Sequence, residues 1–416
     1  MKNKKLNKWM WKWHFLSGII ALPFIVLLST TGIIYLFKDT YEQKDVLSYK
    51  EVAVTSKSLS YQQQWEVAKT QTEQHLSSMV IPKADNQATE FVSGMFETHH
   101  SLYIDPYKGV ATGIIETRST DMYKVRKLHG ELLLGSYGTK IIELIGSWMV
   151  VLIITGLYVW WPKDSWRLKS YFIPRIKSGR RTFFRDAHAI TGFWLSALFL
   201  LILAGGLPWT DVFGGGFKWI QEQTQTGYPT TWNSYSQNNY AQGTEMVSLD
   251  AIVEKANSLQ LPGTVSVSFP KSEKGVFSVQ NTYYKDLSKQ SKYHFDPYSG
   301  KLLKEHTWAD VGILMQGRMW VMAFHQGKFG QWNWILMLIT SFLLLAMSLS
   351  AIISYCLRKR KNSLGVPKVP KKFSLGIGMC IIIGFLCLLL PLFGLSVIII
   401  LIFEQLRTYR KSVTLN

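Results

Sequence analysis

Cysteine, acidic residues and nucleotide-binding motifs are all scarce in this chain, and each shortage removes a class of function. Its three cysteines, Cys356, Cys380 and Cys387, lie in or at the ends of apolar runs, so the polar segments cannot be held by disulfides or carry a thiolate metal cluster. No C-x-x-C-H occurs, which excludes covalently attached c-type haem. No G-x-G-x-x-G follows a strand pattern, no P-loop is present, and the run Gly214–Gly216 opens no βαβ unit; the chain carries no nucleotide-bound electron source of its own. H-x-x-H, H-x-x-x-H and H-E-x-x-H are absent from the apolar runs, and zinc or copper sites need three or four close ligands.

What is present is apolar length. Hydrophobic residues make up 47% of 416 positions, with a formal net charge of +19. Runs long enough to span about 30 Å of hydrocarbon occupy His14 to Phe37, Ile141 to Trp161, Ala189 to Leu207 and Trp332 to Leu357. A further run, Phe373 to Phe403, would make one helix of roughly 46 Å, and Pro391 with Gly394 breaks it into an expected hairpin of two short spans. The first run is too long for a signal peptide and lacks a small-residue cleavage site, so it is expected to remain as a span.

Short inner loops collect Lys and Arg. Residues 1–13 carry five cations and no acids, 163–187 eight cations and two acids, and 358–372 seven cations and no acids. The long polar segments are close to neutral, with nine cations and twelve acids in 38–124 and ten of each in 208–320. The expected fold is a polytopic α-helical membrane protein: a four-helix core, a C-terminal helical hairpin, and two outer α+β domains inserted as a parallel repeat. Its parts are an N-terminal tail and first span (1–37), a first outer domain (38–124), an interfacial segment and second span (125–161), a basic inner loop (162–187), a third span (188–207), a second outer domain (208–320), an interfacial segment and fourth span (321–357), a second basic inner loop (358–372), the hairpin (373–403) and an inner tail (404–416). Both termini are expected inside. The positive charge then reflects topology and anionic lipid rather than nucleic acid.

Internal repetition is visible in short phrases. "WHFLSG" and "AHAITG" each place a histidine four residues before a glycine at the inner end of a span, and "YIDPYKG" and "HFDPYSG" each read as a strand entering a hairpin turn. "LHGELLLGSYG" and "FHQGKFG" precede the second and fourth spans. Four of nine histidines thereby fall into matched positions, His14 with His188 inside and His129 with His325 outside. A lone histidine at a helix end is usually solvated or hydrogen-bonded locally, but ionisable groups near hydrocarbon are costly, and symmetric pairs favour function. Neutral imidazole is an axial ligand for haem iron, and two imidazoles from different helices hold a b-type haem without covalent links. Two such haems are expected. Lys12, Arg185, Arg126 and Lys127 adjoin these histidines and are candidate partners for the propionates. Trp9, Trp11, Trp13, Trp160, Trp161, Trp332 and Trp334 suit an interfacial belt better than a porphyrin wall. His75, His99, His100, His294 and His306 are expected to be structural or surface residues, because adjacent His99 and His100 on a strand would point to opposite faces.

These phrases, from "WKWHFLSGIIALPFIVLLSTTGIIYLF" through "GLYVWWPK", "RDAHAITGFW" and "FHQGKFG", resemble the PepSY-associated transmembrane family over nearly the whole chain. The resemblance implies di-haem reduction of ferric siderophores or other ferric chelates at the bacterial plasma membrane, with PepSY-like outer domains and the four matched histidines as ligands. Ala189 stands where an arginine often follows the histidine, and Gln326 also departs from the pattern. Electrons would come from a quinol or a cytoplasmic flavoprotein. Two other readings stay open: outer domains that bind peptides or a protease on an inert anchor, and a proton-coupled transporter with histidines as carriers.

Overall fold

Four helices in the computed structural model are long and apolar enough to cross a membrane, within Lys4–Lys50, Ser136–Trp160, Arg180–Trp209 and Gln331–Cys356. The protein is a polytopic helical membrane protein. The structure describes residues 4–55, 57–161, 168–233, 235, 245–358, 364–367, 369 and 373–413. Much of the two basic loops expected inside, including 162–167 and 359–363, lies outside the described residues, as does the end of the C-terminal tail.

Along the chain, α1 (Lys4–Leu36) and α2 (Lys38–Lys50) lead to α3 (Tyr61–Thr70) and strands β1 (Leu76–Val80), β2 (Thr89–Ser93), β3 (His100–Asp105) and β4 (Val110–Glu116). Next come α4 (Asp121–Glu131), α5 (Ser136–Trp160) and α6 (Arg180–Gly206). The second polar segment holds α7 (Val212–Gln223), α8 (Thr230–Asn233), α9 (Leu249–Ser258), β5 (Thr264–Ser268), β6 (Phe277–Thr282), β7 (Ser291–Phe295) and β8 (Leu302–Thr307). The chain ends with α10 (Ile313–His325), α11 (Gln331–Cys356), α12 (Ile377–Leu389) and α13 (Pro391–Val413).

The membrane helices form a ring. α1 packs on α5 and α11, and α6 packs on the same two, so α1 and α6 stand on one diagonal. α4 lies against α1 and α5, while α10 lies against α6. Both α1 and α6 begin well before the apolar runs that announce them: Lys4 precedes His14 by ten residues, and Arg180 precedes His188 by eight. The inner histidines are therefore inside continuous helices rather than at their first turn.

In residues 373–403 the helix breaks at Leu390, and Pro391 starts α13, a first-turn position where its missing N–H costs nothing. At 13 residues α12 is about 20 Å long, shorter than the hydrocarbon is thick. Leu386, Leu390 and Phe393 of this hairpin pack with Leu207 against Trp148 and Val151 of α5.

Between the spans, the two polar segments share one eight-stranded sheet in the order β4-β3-β2-β1-β5-β6-β7-β8, antiparallel throughout. The halves meet at β1 and β5, where Met79 faces Val267, both fully buried. A single apolar core lies under α3 and α9 and includes Phe91, Ile104, Leu249, Ile252 and Phe277. The two Asp-Pro-Tyr turns close alike. Asp105 Oδ1 accepts from the backbone N–H of Tyr107 and Lys108 (2.8 and 3.1 Å), and Asp296 Oδ1 from Tyr298 and Ser299 (2.8 and 2.7 Å). Gly109 and Gly300 then take positive φ, +65° and +68°.

Candidate functional site

His14 of α1 and His188 of α6 face each other across the ring's diagonal, their ring centroids 6.3 Å apart and their planes at 70°. His129 of α4 and His325 of α10 repeat the arrangement at 6.3 Å and 72°. Thr31, which touches His129, lies about 25 Å further along α1 than His14 at roughly 1.5 Å per residue, so one pair sits near each end of the bundle.

Each of the four imidazoles is fixed through Nδ1. His14 Nδ1 contacts Leu152 O and Thr155 Oγ1, both at 3.1 Å, His188 Nδ1 contacts Met347 O at 3.1 Å, and His325 Nδ1 contacts Ile202 O at 2.9 Å. A carbonyl oxygen can only accept, so Nδ1 in these three rings carries the proton and Nε2 keeps its lone pair. His129 Nδ1 instead meets Thr31 Oγ1 at 2.9 Å. That hydroxyl already donates to Leu27 O at 2.8 Å, which makes its oxygen the acceptor and gives His129 the same tautomer. An imidazole whose other nitrogen donates to a protein acceptor is oriented and made a better metal ligand.

The separation also fits one metal ion between the rings of each pair. Imidazole nitrogen binds first-row metals at about 2.0–2.1 Å, and bonds near 1.33 Å give a five-membered ring a radius of roughly 1.1 Å. Rings with centroids 6.3 Å apart therefore leave room for an ion that both imidazoles would hold. No group of three or more His, Cys, Asp or Glu able to hold a metal ion occurs among the described residues. An ion held by two imidazoles would need its remaining donors from elsewhere, as the porphyrin of a b-type haem would supply.

Glycines make room for these rings. A Cβ on Gly156 of α5 would lie 3.0 Å from His14 Cε1, one on Gly32 of α1 3.6 Å from His129 Cε1, and one on Gly205 of α6 2.7 Å from His325 Cβ. Turns place the outer pair: after α4 the chain reverses through Leu132 and Leu133 at φ +51° and +59° and Gly135, and after α10 through Gly327 and Gly330. Sequence reasoning missed Thr31, Thr155 and the glycines, although the small polar residues Ser17, Ser29 and Thr31 on the buried face of α1 are a usual mark of close helix packing in membranes.

The cations expected near haem propionates have protein partners of their own. Arg185 pairs with Asp186 (2.8 Å), which Arg175 also grips at 2.7 Å. Lys127 binds Glu97 at 2.6 Å and also Glu131. The Arg126 guanidinium lies 5.1 Å over Tyr123, and the Lys12 ammonium 5.2 Å over Trp13. Glu143, the acid within α5, is fully buried and accepts the N–H groups of Val212 and Phe213, each at 2.9 Å. It caps the start of α7.

Away from the membrane, His294 and His306 are buried on the β7–β8 face, ring centroids 5.6 Å apart, beside buried Lys292. Burial first, then Lys292 and His306, push His294 down to about 4; burial and Lys271 push Lys292 down to about 8. His75 contacts its neighbour's carbonyl, Leu76 O, and His100 lies 3.8 Å from Glu116.

Residues 11–359 match the family described as the PepSY-associated TM region. No curated protein matches the chain.

Proposed function

This chain belongs to the PepSY-associated TM family, and from that premise we propose that it conducts electrons across the bacterial plasma membrane through two b-type haems. The proposed outcome is reduction of a ferric siderophore or related ferric chelate on the outer side. The observation that carries the reading is the pair of facing histidines, repeated with the same 6.3 Å spacing at both ends of one helix ring. When bound, each haem supplies a one-electron carrier, chemistry that belongs to the cofactor.

The chain's own part is positioning. Carbonyls of Leu152, Met347 and Ile202, with the Thr31 hydroxyl, accept from Nδ1 and leave each Nε2 its lone pair. On the outer side, a cavity of about 510 Å³ lies between Lys285–Ser288 and α10, walled by Trp308, Trp320, Phe329 and Trp332. Trp320 stacks at 5.6 Å on Phe324, the neighbour of His325, so a chelate docked there is close to the outer pair. Chelators that prefer the harder Fe(III) release iron as Fe(II) after one-electron reduction.

The test is a reduced-minus-oxidised visible spectrum with haem counted per chain. Two b-type haems are expected in the parent and one in each of His188→Ala and His129→Ala. A folded, haem-free parent expressed with haem available would overturn the reading.

A further inference from the structure

The C-terminal hairpin lies beyond the family match, which ends at residue 359, and it builds something against the inner histidine pair. A cavity of about 390 Å³ lies between α1 and α5 on one side and α12 and α13 on the other. Trp9, Trp13, Trp148 and Phe393 wall it, and Thr155 reaches it. Thr155 is the residue whose hydroxyl sits 3.1 Å from His14 Nδ1, so the cavity wall and the inner ligand are in direct contact.

We infer that this cavity binds a membrane quinol, which serves as the electron donor; the inference rests on the haem reading above. The cavity's volume and its aromatic lining suit a ligand ring, and sites of this kind form between helices of bundles. Trp13 and Trp148 stack at 6.3 Å with planes 23° apart, and Phe393 meets Trp148 edge-on at 5.0 Å. The Trp148 N–H is committed to Ser396 Oγ at 3.2 Å. The Trp13 N–H, shielded from water at the cavity wall, has no acceptor among the described residues. An unmet buried donor is costly, and a turn of the Trp13 indole toward the cavity would let a quinol oxygen accept from it. Almost the whole lining is apolar, which suits a lipid-soluble donor and no soluble flavoprotein. Glu404 lies on the rim, where α13 changes from an apolar run to a polar, cation-bearing end.

The step balances. The hydroquinone loses two electrons and two protons and becomes the quinone. With haem bound, the two electrons would leave one at a time toward the site held by His14 and His188, the two protons would leave past Glu404 to cytoplasmic water, and one quinol would support reduction of two ferric ions.

Gly384 of α12 lines the cavity, and a Cβ there meets nothing within 4 Å. Gly384→Phe therefore fills the cavity without a backbone clash, and Trp13→Phe keeps a ring while deleting the unmet donor. Under anaerobic conditions duroquinol is expected to reduce the haem of the full chain, at least tenfold more slowly in Gly384→Phe and severalfold more slowly in Trp13→Phe, while dithionite reduces all three completely. Menadione is expected to quench the parent's tryptophan fluorescence, with at least tenfold weaker apparent affinity in Gly384→Phe. Haem that dithionite reduces but duroquinol does not, equal duroquinol rates in parent and both variants, or equal menadione affinities would overturn the inference. Loss of the haem reading is a different result, a folded chain with no haem absorbance.

Discussion

At the scale of single residues, the site depends on side chains that are missing as much as on those present. Gly205 and Gly156 make contrasting cases. A methyl on Gly205 would meet Val321 O at 2.6 Å and His325 Cβ at 2.7 Å, a clash with backbone that only movement of α10 relieves. A methyl on Gly156 meets the edge of the His14 ring at 3.0 Å, where a small ring rotation relieves it. Overpacking of this kind costs about 1–3 kcal/mol when backbone must shift. Gly205→Ala is expected to lose the outer haem, and Gly156→Ala to keep the inner haem with a displaced absorption band and potential. Haem counts and redox titration of the two variants decide this, and an unchanged Gly205→Ala would refute it.

Titration of the buried bases in the sheet is a second residue-scale matter. His294 is held at about 4 against an ordinary 6.5, and Lys292 at about 8 against 10.5. Both fold-disfavoured forms are the charged ones, so the unfolded chain binds more protons between each pair of values. Stability then rises with pH from about 4 to 6.5 through His294, and again from about 8 to 10.5 through Lys292. Below pH 8 the full penalty of Lys292 applies. Lys292→Met is expected to raise protection of the β7 amides at pH 7 by on the order of 2–3 kcal/mol and to abolish the alkaline limb, while His294→Phe flattens the acidic limb. Hydrogen exchange followed from pH 4 to 10 checks both, and a parent profile flat across these windows contradicts the assignment.

At the scale of elements, α3 and α9 cap each other across the two halves of the sheet. Asp250 of α9 accepts the first N–H groups of α3, from Tyr61 at 2.7 Å and Gln62 at 3.1 Å, and Gln62 returns an acceptor to Leu249 N at 3.0 Å. A carboxylate on a helix N-terminus satisfies orphan donors and complements the dipole. Asp250→Ala is expected to cost about 1–2 kcal/mol and to loosen both halves together, since the cap spans them; thermal melts and exchange at β1 and β5 test it, and loss confined to α3 would disprove the coupling. This link also shows where sequence reading stopped. The spans were legible because apolar length is a local property, and the Asp-Pro-Tyr turns because turn chemistry is local. The pairing of Met79 with Val267 joins segments nearly two hundred positions apart, and nothing in either strand's own pattern names its neighbour. The histidine pairs could be listed from repetition, but their Nδ1 acceptors are mostly backbone carbonyls, which every residue has. Adjacency in sequence also could not show that Glu97, Glu131 and Asp186 fold back onto Lys127 and Arg185, the cations beside those histidines.

For the whole molecule, the proposed direction of electron flow depends on which end of the helix ring faces the cytoplasm. Cation-rich segments flank the starts of α1 and α6 and follow α11, whereas the sheet joins their opposite ends and comes from segments close to charge balance. The excess of Lys and Arg in short loops is usually retained inside, and the proposed orientation accordingly has His14 and His188 at the inner end and the sheet outside. Ser178, exposed before α6, and Ser299, exposed in the second Asp-Pro-Tyr turn, report on opposite faces. In a background with Cys356, Cys380 and Cys387 changed to Ser, an impermeant maleimide is expected to label Ser299→Cys in intact cells and Ser178→Cys only after permeabilisation. The reverse pattern would put the aromatic cavity over His325 in the cytoplasm, where no extracellular chelate reaches it, and outward electron delivery would be lost. The same pair of variants, labelled and then assayed for ferric-chelate reduction with duroquinol as donor, ties orientation to direction: modification at Ser299→Cys lies on the substrate side and modification at Ser178→Cys on the donor side.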